Sequence, residues 1–220
     1  MNRVCIVGAS GKLGQYLIEW SLKEGYRVNA VCRPQSVDKL QRFGDQIDIY
    51  PAWTDNQNVV AQAIEGCDAV LTVLVPWGLN DYSSGTAKAV LNSAPAHARL
   101  IFSCGWHISK DGKDQYSLAF RLLVALFAKL ARLFRFADLS DQVRACSLIF
   151  NSTKPWTVVR GSNLEEGPSQ GLPIWRKHTH DPALSRNLTR RTDFARFMVH
   201  AINNNELVHQ APAISAVLQE

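Results

Sequence analysis

Three glycines at three-residue intervals, Gly8-x-x-Gly11-x-x-Gly14, carry the first chemistry that can be read from the chain. A glycine at the first position allows a tight turn. At the second it lets the backbone approach a bound anion closely, and at the third it lets a helix pack against the preceding strand. The segment Gly8, Ala9, Ser10, Gly11, Lys12, Leu13 and Gly14 then forms a cradle for a diphosphate, with the positive end of a helix dipole behind it. The spacing alone is weak and gains force only between a strand and a helix.

The flanking residues supply that context. Arg3 to Val7 is a short apolar run, and Leu13, Tyr16, Leu17 and Trp20 fall on one helical face after the glycines. A second strand is expected over Arg27 to Cys32. No Asp or Glu stands between Gly25 and Ser36 to hold a ribose 2′-hydroxyl, and Arg33 occupies that place. A permanently charged, forked guanidinium suits a 2′-phosphate, with Lys12 and Ser10 within reach. The expected cofactor is therefore NADP, with NADPH preferred over NADH. Trp53, beyond the third strand, has two open roles, stacking on adenine or filling the core.

The remaining elements follow from periodicity and breakers. Strands are expected at 47–50, 68–75, 99–104, 155–160 and 213–217, and helices at 58–65, 83–92, 115–136, 139–151 and 192–203. On the 139–151 helix, Leu139, Val143, Cys146 and Phe150 are expected to share a buried face. Residues 165–187, rich in Gly, Pro, Ser and His, read as a long loop. Apolar strands alternating with helices indicate an α/β fold, a Rossmann-type doubly wound parallel sheet. The 220 residues form one domain, with 106–137 and 161–191 as substrate-side elaborations.

Composition narrows the function class. With 46% hydrophobic and 20% charged residues the chain is an ordinary globular one, and disorder and coiled coil are excluded. The net charge of +5 favours anionic ligands without pointing to nucleic acid. The five cysteines show no CxxC pair, and His178, His180 and Asp181 lack a diagnostic ligand spacing, so neither a disulfide framework nor a metal site is expected. Met1-Asn2-Arg3 leads straight into a strand without a leader pattern, and a reducing, cytoplasmic location is expected.

The stretches Val4 to Gly14, Gly66 to Val70, Leu100 to Gly105, Pro155 to Arg160 and Arg191 to Ala195 together resemble the atypical short-chain dehydrogenases/reductases. The likeness is to the NAD(P)H-binding, NmrA-like type, near the flavin reductase and biliverdin-IXβ reductase group. The resemblance implies an oxidoreductase and adds Val75, Pro76 and Ser103 to the cofactor site. It also exposes a departure. The Tyr-x-x-x-Lys pair of classical members is absent: Tyr82 is followed by Thr86, Tyr116 by Phe120, and the family's spacing before Arg160 reaches Asp138 and Gln142. Without a lysine to lower a phenol's pKa, reduction of an isolated ketone lacks its proton donor. Conjugated acceptors such as flavins or quinones spread the incoming charge and need mainly face-to-face positioning.

Ser103 and His107 are the candidate catalytic residues, and Trp77, Trp106 and Asn163 the candidate acceptor contacts, all at the carboxyl ends of strands. A non-catalytic NADP(H)-reading regulator of NmrA-like type is the alternative. In the 117–136 helix, Arg121, Lys129, Arg132 and Arg135 form a basic stripe beside a wide apolar arc. Packing on the sheet, a homodimer and a peripheral membrane contact all remain open for it. Replacing Arg33 with Asp is expected to weaken NADPH binding much more than NADH binding in parallel calorimetric titrations; equal losses would remove Arg33 from the 2′-phosphate.

Overall fold

The computed structural model describes residues 3–75, 81–134 and 138–216, without the side chains of Ala119, Phe120, Leu123 and Arg132. The first half alternates as the sequence predicts. β1 (Arg3–Val7), α1 (Lys12–Lys23), β2 (Arg27–Cys32), β3 (Ile47–Pro51), α2 (Gln57–Ile64), β4 (Ala69–Val73), α3 (Tyr82–Ser93) and β5 (Arg99–Gly105) follow one another. Then come α4 (Leu118–Leu133), α5 (Leu139–Phe150), β6 (Trp156–Gly161), β7 (Asn163–Glu165), β8 (Ile174–Arg176), β9 (Leu188–Arg190), α6 (Arg191–His200) and β10 (Ala213–Ser215).

The main sheet runs β3-β2-β1-β4-β5-β6-β10-β8, parallel throughout except for β8, which pairs antiparallel to β10 at the edge. Strand order reverses at β1, so the crevice between the carboxyl ends of β1 and β4 is the topological switch point. Side chains alternate across the pleat. Val4 and Ile6 enter one core with Leu17 of α1 and Phe194 and Met198 of α6. Cys5 and Val7 enter the other with Ile64 of α2, Val90 of α3 and Ile149 of α5.

Several expected elements change. Pro34–Gln46, where no helix is expected, is a run of 3-10 turns interrupted at Gly44. The fourth strand stops at Val73, freeing Leu74 and Val75 for the crevice. The stretch read as a loop holds the edge strand β8, and the strands that bracket it, β7 and β9, pair as a two-stranded ribbon. At three residues each, these strands are too short to show a period. On α5 the buried face is Asp141, Gln142, Ala145, Cys146 and Ile149, and Val143 is half exposed. The helix turns inward because Asp141 accepts hydrogen bonds from the backbone N–H groups of Ser83 (2.6 Å) and Ser84 (3.3 Å), capping α3 from outside.

Arg160, at the end of β6, binds the second half together. Its Nε donates to the Ala211 carbonyl (2.7 Å), Nη1 to the Ile108 carbonyl (2.9 Å) and Asp114 Oδ2 (2.6 Å), and Nη2 to the Lys177 carbonyl (2.6 Å). Both side chains of the Arg160–Asp114 pair are 1% exposed. Burial works against the Asp114 carboxylate, but the Thr179 N–H, the Arg160 charge and the Ser109 hydroxyl outweigh it and hold its pKa below the usual range. Removing one member of such a pair leaves the other charged and unpaired. Asp114→Ala is therefore expected to lower unfolding stability by about 3–5 kcal/mol in urea denaturation, and a loss under about 1 kcal/mol would deny the pair its role.

Candidate active site

The glycine turn begins where β1 ends. Gly8 has φ +90°, a left-handed conformation that only glycine adopts without strain. The N–H groups of Gly8 and Ala9 both donate to the Val31 carbonyl at 3.0 Å, so these two amides hold the turn on β2 and are not offered to a ligand. A Cβ on Gly14 would lie 2.3 Å from the Gly8 carbonyl oxygen and 2.5 Å from that of Ala9, so α1 can approach the turn only because this residue has no side chain. Gly11 precedes α1 without a capping side chain, and α1 has no acid in its first turn. Among the described residues no intramolecular acceptor takes the N–H of Ser10, Lys12, Leu13 or Gly14. Four free amides at a helix amino end, with room beside Gly11, fit a diphosphate.

The two cationic candidates occupy different places. Lys12 Nζ is exposed and lies 3.5 Å from Glu166 Oε1, whose carboxylate also pairs with Arg191 Nη1 and accepts from the Tyr16 hydroxyl. Arg33 is exposed at the end of β2, in no ion pair with a described residue, and its guanidinium lies 5.5 Å from the centre of the Trp53 ring. Trp53 is 50% exposed and meets Tyr82 edge-on at 6.0 Å, which excludes a core role for it. Arg33, Trp53 and Tyr82 thus form an open cationic and aromatic shelf beyond β2 and β3.

Between the turn and the later strands lies a cleft of about 480 Å³. Gly11, Lys12 and Leu13 line it from the turn, Val73, Leu74 and Val75 from β4, Ser103 and His107 from the end of β5, and Leu164, Arg191 and Phe194 from the far side. Its exposed lining is mostly apolar. Ser103 is buried. Gln142 reaches the cleft from α5, 2% exposed, with Nε2 donating to the Leu74 carbonyl (2.9 Å). Its Oε1, and Nε2 of His107, are buried without a hydrogen-bond partner. The two side chains lie beside each other, so these atoms form one polar corner in an otherwise apolar cleft, able to take a ligand's hydrogen bonds.

The expected acceptor contacts divide. Pro76 and Trp77 lie outside the described residues. Trp106 does not line the cleft: its indole N–H donates to the Arg160 carbonyl (3.1 Å), and its own carbonyl accepts from the Tyr116 hydroxyl (2.6 Å). Asn163 is exposed, and its neighbour Leu164 takes the place on the cleft wall. Gln142, Arg191 and Phe194 were not anticipated as cleft residues. For Gln142 the only sequence trace is its place at the family's usual spacing before Arg160. Ligand atoms of Asp111, Asp114 and His178 lie within 4.8 Å of one another, but Asp114 is already committed to Arg160, Ser109 and Thr179.

Comparison with known proteins agrees with this architecture. A profile described as NAD(P)H-binding matches residues 8–205. Vestitone reductase of Medicago sativa is 28% identical over 135 residues, 52% of this chain and 41% of that protein. The chain spans less than half the length of the curated relatives it matches. Among solved structures, an anaerobillin reductase of Escherichia coli superposes with a TM-score of 0.75 at 18% identity, covering 100% of this chain and 99% of that one. A short-chain dehydrogenase/reductase of Veillonella parvula in complex with NADP gives 0.74 at 12% identity, covering 97% and 94%. Identities this low establish a shared fold.

Burial pushes the His107 pKa below its ordinary value, and Gln142 beside it offsets part of that shift. The folded chain therefore binds this proton less readily than the unfolded chain does. The stability linked to His107 is intact above the ordinary histidine pKa of about 6.5 and declines as pH falls below it. Replacing His107 with Gln is expected to flatten the loss of thermal midpoint between about pH 7 and pH 5. A slope identical to that of the parent chain would show that the imidazole ionises freely in the fold.

Proposed function

The chain belongs to the NAD(P)H-binding family, and from that premise we propose that it is an NADPH-dependent reductase that passes hydride to a conjugated acceptor of flavin or quinone type. The observation that carries the reading is the cleft itself. It joins an uncapped helix amino end to a largely apolar chamber with one polar corner, where an imidazole and a pinned amide lie side by side. Relatives named vestitone reductase, anthocyanidin reductase and dihydroflavonol 4-reductase support the reductase part of this reading.

A bound dihydronicotinamide supplies the hydride. The chain supplies binding, orientation and exclusion of water. The free amides of Ser10, Lys12, Leu13 and Gly14 take the diphosphate, and Arg33 takes the 2′-phosphate with Trp53 against the adenine. The mostly apolar walls of Leu74, Leu164 and Phe194 hold a flat ring and displace water. Ser103 and His107 meet its polar edge. Burial favours the neutral form of His107, so its role is to orient the acceptor by a hydrogen bond, and the proton that completes a two-electron reduction comes from solvent. Gln142, fixed by the Leu74 carbonyl, presents its Oε1 to the same region. A conjugated acceptor tolerates this arrangement because its charge is delocalised before the proton arrives.

Anaerobic stopped-flow measurement of NADPH oxidation with excess riboflavin, FMN or a water-soluble quinone tests the proposal. The parent chain is expected to oxidise NADPH in the presence of at least one of these acceptors. Gln142→Leu is expected to lower that rate by about 10- to 100-fold while leaving the dissociation constant for NADPH unchanged. Tight NADPH binding with no oxidation by any acceptor would overturn the reductase reading in favour of an NADP(H)-reading regulator. An absence of dinucleotide binding would overturn both.

A further inference from the structure

α4 is the element that the fold uses least. Leu, Ala, Lys and Arg dominate its sequence and favour a helix on their own. Ala131 is fully buried and Val124 and Ala128 half-buried, and this narrow edge seats the helix on the body. The opposite side faces water with residues that avoid it. Leu118 is 71% exposed, Leu122 61%, Leu126 56%, Leu130 41%, Leu133 70% and Phe134 70%. At 3.6 residues per turn these six cover an arc of about 160°, with Lys129 near one margin and Arg121 just beyond it, both exposed. The sequence from Tyr116 to Phe136 contains four basic residues and no acid.

We propose that this face of α4 docks on an anionic lipid surface, with the leucines and Phe134 at the acyl boundary and Arg121 and Lys129 among the headgroups. Large side chains on a protruding helix, bordered on one side by cations, are what an interfacial helix requires. Charge separates this occupant from a second copy of the chain. A two-fold contact would gather Arg121 and Lys129 of both copies around one seam, with no acid on α4 to answer them, whereas an anionic surface complements them. With 16 residues, α4 lies on a membrane and does not cross it: among the described residues no helix is long and apolar enough to span one. Tyr116, two residues before α4, donates to the Trp106 carbonyl at the end of the β5 segment, so the docked helix begins beside the loop that carries His107. The docking proposal stands without the reductase reading.

Co-sedimentation of the full chain with vesicles of phosphatidylcholine alone, and of equimolar phosphatidylcholine and phosphatidylglycerol, tests it. Light scattering of the free protein is measured in parallel. Binding is expected only to the anionic vesicles and is expected to weaken with salt. Joint replacement of Arg121 and Lys129 by Glu is expected to reduce it about tenfold or more. Leu122→Ser with Leu126→Ser, two exposed positions that the fold does not use, is expected to abolish it while the thermal midpoint stays within a few degrees. Leu126→Trp is expected to add a blue shift of tryptophan emission on anionic vesicles that the parent chain does not show. A monomeric, folded chain that ignores anionic vesicles would overturn the proposal. So would a dimer that dissociates when Leu122 and Leu126 are replaced and binds no lipid.

Discussion

Arg160 is charged and almost wholly enclosed, yet each of its three guanidinium nitrogens donates to an acceptor. Those acceptors come from three separate stretches: Ile108 and Asp114 after β5, Lys177 after β8, and Ala211 before β10. A buried cation is tolerable only with this degree of satisfaction, and so these segments have little freedom to move apart. The same residue's carbonyl accepts the Trp106 indole N–H, tying down the loop that carries His107. The cleft's far wall, built by β6, β7 and α6, is therefore positioned by an ion pair that touches no ligand. The end of β5 that lines the cleft depends on it as much as on the sheet.

The near wall is governed by distance of approach. α1 comes so close to the glycine turn that a methyl group at position 14 would meet two carbonyl oxygens. That closeness aims the amino end of the helix at the switch point between β1 and β4. Gly8 and Ala9 spend their amides holding the turn, and the next amides are left for an anion. Glu166 lies over this mouth, paired with Lys12 and Arg191.

α5 shows how a structural task and a functional one can share a turn of helix. Asp141 faces inward to cap α3, and Gln142 beside it reaches the cleft. Two adjacent polar residues turned toward a core defeat a reading based on apolar spacing, which placed Val143 inside. The helix pays a packing contact at Val143 and gains a cap and a fixed amide. α4 settles, in the opposite sense, a point that the sequence leaves open. Its apolar residues are patterned for burial, but the sheet face that would cover them is already filled by α3 and α5.

The sequence by itself determined the order of strands and helices through β6, the glycine turn, the placement of Arg33 at the end of β2 and the NAD(P)H-binding class. All of these rest on local rules: the period of apolar residues, the φ angles and close approaches that only glycine permits, and a side chain at a strand end. The tertiary structure alone decided that Gln142, Arg191 and Phe194 meet Ser103 and His107, that Trp106 and Asn163 stand away from them, and that β8 completes the sheet. It also placed Trp53 in the open beside Arg33. Such encounters join residues dozens of positions apart. They depend on which buried charges and amides can be satisfied together once the chain has closed, and no period or spacing along the chain records that.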